Sequence, residues 1–191
     1  MAVRPQVPDG AAAEGTLTVW RPVQPPYGPP EQFDAGRRAA GAALFAAGAA
    51  ERKRFVPREP DGRPGFPPGF PGSIAHTDRL AIALVVPGAS SVGVDIESAV
   101  ITARMARFVL RGLESQTLLP PVGDYTMREL FAAKEAAFKA LYASGALEEF
   151  PFWWIELAEA DGVLIASYRG SQVPVWIRSE PDLSLAVAIR R

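Results

Sequence analysis

Four side chains in two short segments of this chain are suited to chemistry on a phosphate ester. Asp95 and Glu97 lie in Gly93-Val94-Asp95-Ile96-Glu97, and Glu135 and Lys139 lie in Phe131-Ala132-Ala133-Lys134-Glu135-Ala136-Ala137-Phe138-Lys139. Residues 91–97 alternate: Val92, Val94 and Ile96 face one way, and Gly93, Asp95 and Glu97 the other. Residues i and i+2 of a strand stand about 6.5 Å apart along its axis, so two such carboxylates can bracket a hard cation with ligand distances of about 2.1 Å. Gly93 puts no side chain on that face, and a ligand is expected to approach there. A strand ending in two solvated acids has the same pattern.

The second segment has helical spacing over 127–142. Leu130, Phe131, Phe138, Leu141 and Tyr142 form an apolar stripe, and five alanines favour helix. Phe131, Glu135 and Lys139 recur at i, i+4 and i+8 along one edge. The plain alternative is a surface Glu-to-Lys pair worth about 0.3 kcal/mol. A third element, Gly72-Ser73-Ile74-Ala75-His76-Thr77, follows a Pro/Gly-rich approach and precedes the apolar run Leu80 to Val86, which reads as a buried strand. His76 is the single histidine; it serves either the structure or an anionic ligand.

These segments need a scaffold of mixed elements. Residues 1–15 read as a flexible tail. Strands are predicted over 16–20, 80–86 and 92–97, the last two flanking a Pro-Gly turn. Helices are predicted over 33–54, 101–112 and 127–142, with loops over 22–30 and 118–124 and an irregular stretch over 56–72. Four antiparallel strands are predicted over 150–157, 163–168, 174–177 and 183–189. With 191 residues, 48% of them hydrophobic, the chain can bury a core as one compact unit. Its 17 glycines and 19 prolines stay under the roughly 25–30% share that signals disorder. A net charge of −1 argues against a nucleic-acid binder, and the absence of cysteine excludes disulfides and thiolate metal sites. No apolar run reaches the ~18 residues of a membrane span, and Met1 to Pro5 begins no signal-peptide core, so a cytoplasmic enzyme is expected.

Taken together, the three motifs resemble the Sfp-type 4′-phosphopantetheinyl transferases. That family's pattern is Ile-Ser-His, then Gly-(Ile/Val)-Asp-Ile-Glu, then (Trp/Phe)-x-x-Lys-Glu-x-x-x-Lys. The approach Pro64-x-Phe66-Pro67-x-Gly69-x-x-Gly72-Ser73, the aromatic Phe131 and Gly36-Arg37-Arg38-Ala39-Ala40 resemble its enterobactin-synthetase-associated subgroup. The likeness spans about residues 33–142.

The resemblance implies an α+β fold of two similar α/β halves in one chain, a pseudodimer with the active site between 16–90 and 91–191. It implies a Mg2+-dependent enzyme, with Mn2+ as an alternative, of the holo-[acyl-carrier-protein] synthase type. Such an enzyme moves the 4′-phosphopantetheine of coenzyme A to a serine of an apo acyl or peptidyl carrier protein of secondary metabolism and releases 3′,5′-ADP. Asp95, Glu97 and Glu135 match the metal-binding acids, and Glu135 also the general base. Lys139 matches the lysine on the phosphates, with Asp95 beside it at the coenzyme. His76, Arg37 and Arg63 match positions near the 3′-phosphate and adenine, and Arg58 is a second basic candidate there. Glu114 resembles a family acid at a spacing one residue longer. The family's serine before the histidine is Ala75 here, so a hydroxyl for the nucleotide is expected to be missing, with Ser73 or Thr77 as substitutes. The loop 118–125 is expected to meet the carrier through Leu118 and Leu119, unless those two cover the core. A monomer is expected. A degenerate homologue that binds coenzyme A or carriers without transfer, and a different magnesium-dependent nucleotide enzyme, are the alternatives.

Overall fold

The computed structural model describes residues 4–143 and 151–191. The strands form two antiparallel sheets. The first holds β1 (Leu17–Pro22), β3 (Leu80–Val85) and β2 (Gly72–His76), in the order β1-β3-β2. The second holds β4 (Ser91–Glu97), β8 (Leu183–Arg190), β7 (Ser171–Glu180), β6 (Val163–Tyr168) and β5 (Glu156–Ala160), in the order β4-β8-β7-β6-β5.

Side-chain size explains the layering. Leu80, Ile82 and Leu84 of β3 pack with Val92, Val94 and Ile96 of β4 and with Leu183, Leu185, Val187 and Ile189 of β8, so large side chains fill the space between the sheets. The opposite faces carry small residues. Ala83 and Val85 meet Ala39, Ala40, Ala43 and Leu44 of α2 (Pro29–Ala46), while Ala186 and Ala188 meet the buried alanines of α5 (Met127–Ala143). Methyl-sized groups let a helix lie close on a sheet, and the order is therefore helix, sheet, sheet, helix: an α+β fold whose halves each pair one helix with one sheet. β3 is buried on both faces, which is why its sequence is apolar without alternation.

Local chemistry moves several predicted boundaries. The helix predicted over 33–54 starts at Pro29, a favoured first position, and stops at Ala46. There Gly48 adopts φ 80°, with Gly48 N–H donating to Phe45 O and Ala49 N–H to Leu44 O, the paired bonds that end a helix at a left-handed glycine. A 3-10 turn, Glu51–Lys53, follows. The helix predicted over 101–112 is two short helices, α3 (Ala103–Val109) and α4 (Gly112–Thr117), because Leu110 is extended and the Glu114 carboxylate accepts from Arg111 N–H to start the second. The strand predicted from 150 begins at Glu156, after a 3-10 turn at Phe152–Trp154; position 150 lies outside the described residues. The segment predicted as a tail contains α1 (Asp9–Ala13), whose Ala11 is buried in the inter-sheet core, and Arg191 holds Glu14 at 2.7 Å. β3 and β4 flank the Pro87–Gly88 turn without pairing: the turn carries the chain from one sheet to the other.

Candidate functional site

Gly93 sets the geometry of the site. It lies on the face of β4 that meets α5, and a Cβ there would stand 1.9 Å from Ala136 O and 2.8 Å from Ala140 N. What approaches Gly93 is thus the backbone of α5, and the expectation of a ligand at that glycine is corrected. Asp95 and Glu97 follow on the same face, and the close helix brings Glu135 and Lys139 to them. Lys139 Nζ donates to Asp95 Oδ1 at 2.8 Å and to Val94 O at 3.0 Å. Lys139 is thereby spent on the strand opposite, not only on the helix surface.

The carboxylates feel one another. Burial pushes the Asp95 carboxyl above its ordinary range; Lys139 opposes this, and Glu97 adds to it. Burial likewise raises Glu135, again against Lys139, with Asp95 and Glu97 adding repulsion. Glu97 accepts from Ala99 N–H at 2.7 Å. Burial and the charge of Lys139 push His76 below its usual value, which keeps the imidazole neutral at pH 7.

The Asp95–Lys139 pair stands between two cavities, Asp95 lining one and Lys139 the other. One, of about 400 Å³, is lined by His76, Asp95, Glu97, Phe131 and Glu135, together with Asp78, an acid the sequence reading passed over. The other, of about 640 Å³, is lined by Arg58, Arg63 and Lys139, by the acids Glu59 and Asp61, and by Phe66, Ser73 and Tyr142 among others. Arg63 bonds Asp61 at 2.6 Å, donates to Tyr142 O at 3.3 Å and stacks 4.7 Å from the Tyr142 ring. Arg37 sits over the Phe33 ring; its buried Nε has no hydrogen-bond partner, and burial and the neighbouring Arg58 both lower its pKa. Arg37 itself lines neither cavity; Arg58 lines the larger one, where its planar guanidinium suits an anion with several oxygens. His76 stands with the acids, whereas Arg58 and Arg63 stand in the other cavity.

Among the described residues no three acids are gathered tightly as a metal cluster. The donor set still fits a hard cation. It offers carboxylate oxygens alone, the mutual repulsion of Asp95, Glu97 and Glu135 is what a cation would relieve, and the cavity beside them is open.

Residues 31–86 match the 4′-phosphopantetheinyl transferase N-terminal domain, and residues 91–188 match the 4′-phosphopantetheinyl transferase superfamily. The chain belongs to the 4′-phosphopantetheinyl transferase superfamily. A search of curated proteins returned no significant match. The first match ends just after β3, and the second begins at the first residue of β4, so the boundary between the two matches falls where the chain passes from one sheet to the other. Membership makes the chain a phosphopantetheine transferase with coenzyme A and carrier proteins as its partners.

Several residues singled out in the sequence take other positions in this transferase. Ala75 is 4% exposed, packs in the inter-sheet core and lines neither cavity. Ser73 does line the larger cavity, but its Oγ accepts from Val94 N–H at 3.0 Å and so joins β2 to β4. Glu114 lies outside both cavities. It is buried against Lys134 at 2.8 Å, a partnership between residues 20 positions apart that no local spacing reveals. Leu118 is buried in the core under α5, and Leu119 packs against it; the exposed apolar residues of that region are Phe108, Leu113 and Val122. No described helix is long and apolar enough to cross a membrane.

Proposed function

We propose that this transferase moves 4′-phosphopantetheine from coenzyme A to a serine of apo peptidyl or acyl carrier domains of non-ribosomal peptide or polyketide synthases, in the cytoplasm and as a monomer, with Mg2+ (or Mn2+) required and 3′,5′-ADP released. The observation that carries this reading is the Asp95–Lys139 pair, which stands between the cavity that holds Arg58 and Arg63 and the one that holds Glu97 and Glu135. A nucleotide bearing a 3′-phosphate suits the larger cavity, where Arg58 and Arg63 line it, with Arg37 near enough to feel the charge of Arg58. The pyrophosphate then reaches that pair, where Lys139 offers an ammonium and His76, neutral, offers an N–H. The carrier serine oxygen forms a bond to the β-phosphorus while the bond from that phosphorus to the 3′,5′-ADP oxygen breaks. Glu135 accepts the serine proton. Asp95, Glu97 and Glu135 are the residues that would hold the divalent cation, which when bound neutralises charge on the phosphate oxygens.

The choice of secondary metabolism rests on the likeness of the Pro64–Ser73 approach and of Phe131 to the enterobactin-associated subgroup. The binding-only alternative had Ala75 as its support, and Ala75 faces the core. The test is to mix the enzyme with apo carriers, coenzyme A and Mg2+, with and without chelator, and to follow the carrier by mass spectrometry. One phosphopantetheine on the serine, 3′,5′-ADP in solution and silence in chelator are expected. A panel of peptidyl, polyketide and fatty-acid carriers that all stay apo would overturn the reading; transfer to fatty-acid carriers alone would overturn the secondary-metabolism part.

A further inference from the structure

The transferase motif contains a second lysine, Lys134, that the chemistry above does not use. It is fully buried, a costly place for an ammonium. Its Nζ donates to Glu114 Oε2 at 2.8 Å, Val109 O at 2.8 Å and Ile155 O at 2.7 Å, so all three N–H bonds of the ammonium are used. Glu114 is equally occupied: it accepts from Arg111 N–H at 2.6 Å and Leu157 N–H at 2.7 Å. One side chain of α5 thus reaches the end of α3, the start of α4 and the entry to β5.

The sheet side of α5 carries polar ties only toward its ends: Arg128 donates to Ser184 Oγ and Glu180 O, both at 2.9 Å, and Lys139 donates to Asp95 and Val94 O. Ala132, Ala133, Ala136, Ala137 and Ala140 are fully buried and face Gly93, Ala186 and Ala188 among others. Methyl groups repeat along the helix with nearly identical shape, so along its middle they press α5 close to β4 and leave its rotation to the polar ties of Arg128, Lys139 and Lys134. A buried ion pair is commonly replaceable by apolar residues without loss of stability, so its value lies in specifying one arrangement. Glu135 is the next residue of the chain, and Lys139 lies five positions on. We infer that Lys134 is a positioning residue: through Glu114 and the carbonyls of Val109 and Ile155 it fixes the rotation of α5 and so aims Glu135 and Lys139 at Asp95. This inference rests on the transferase reading for its kinetic consequence and on geometry alone for its structural one.

The test compares wild type with K134R, K134M and the double variant K134M/E114Q, which leaves no unpaired charge in the core if K134M alone fails to fold. In the folded double variant kcat is expected to fall about 100-fold, the cost of an ångström-scale misplacement, while KM for coenzyme A moves less than about threefold. K134R, which keeps the charge and its donors, recovers part of the rate. A crystal structure of the double variant is expected to show α5 rotated and the 2.8 Å contact between Lys139 and Asp95 broken. An unmoved helix overturns the inference whatever the activity, and so does a rate that falls only in proportion to the folded fraction. Wild type inactive on every carrier would instead strike the proposed function, leaving the crystallographic arm to decide the role of Lys134.

Discussion

Replacing Gly93 by alanine tests how the site is assembled. Gly93 is not among the residues with positive φ, so alanine brings no backbone strain and only its methyl group counts. That carbon would lie 1.9 Å from Ala136 O, 2.8 Å from Ala140 N and 2.9 Å from Ala136 C, all backbone atoms of α5 that cannot rotate aside. The helix would have to withdraw by about 1.5 Å to restore ordinary van der Waals separation. Overpacking of this kind costs about 1–3 kcal/mol, and each kcal/mol lowers Tm by about 2–4 °C in a chain of this length. The functional loss should be larger than the stability loss suggests. Withdrawal of α5 carries Glu135 and Lys139 away from Asp95, and a misplacement of this size costs about 100-fold in rate. Phosphopantetheine transfer to an apo carrier, followed by mass spectrometry below the variant's Tm, measures the first effect; thermal unfolding measures the second. Wild-type transfer with an unchanged Tm would refute the view that Gly93 exists to admit α5.

Other outcomes follow from the same geometry. Ser73→Ala leaves the buried Val94 N–H without its acceptor and should cost about 1–3 kcal/mol in thermal or denaturant unfolding, with a smaller effect on KM for coenzyme A. Glu135→Gln should abolish transfer yet raise the Tm of the protein in chelator at pH 7.5. The folded-state pKa of Glu135 is raised above the unfolded one, so its ionised form opposes folding as pH rises through that interval, and the gain should fade by about pH 3, well below both values, where both states hold the proton; an equal gain at both pH values would contradict this sign. Arg63→Ala should raise KM for coenzyme A several-fold more than KM for dephospho-coenzyme A, which lacks the 3′-phosphate; equal effects would remove Arg63 from the phosphate.

How much of this was legible in the sequence depended on range. Alternation in 91–97 placed Gly93, Asp95 and Glu97 on one face, and the helical spacing after Met127 placed Glu135 and Lys139 one turn apart; both patterns lie within a few residues, and both elements are observed. The α+β class was equally readable, since strand and helix periods differ locally. Boundaries failed where a cap or a glycine overrode the pattern, as at Gly48 and Leu110. What only the tertiary structure decided were the meetings of distant segments. Sequence shows Gly93 bare, but whether a ligand or a helix fills the space depends on where α5 lies. It shows Ser73, Ala75 and Glu114 as types; their surroundings come from Val94, the inter-sheet core and Lys134. It shows two apolar strands around a Pro-Gly turn, yet their assignment to different sheets follows from pairing with β1, β2 and β8. Side-chain direction is a local property set by backbone repeat, whereas the partner a side chain meets is set by packing large groups between the sheets and small ones beneath the helices, which involves the whole chain at once.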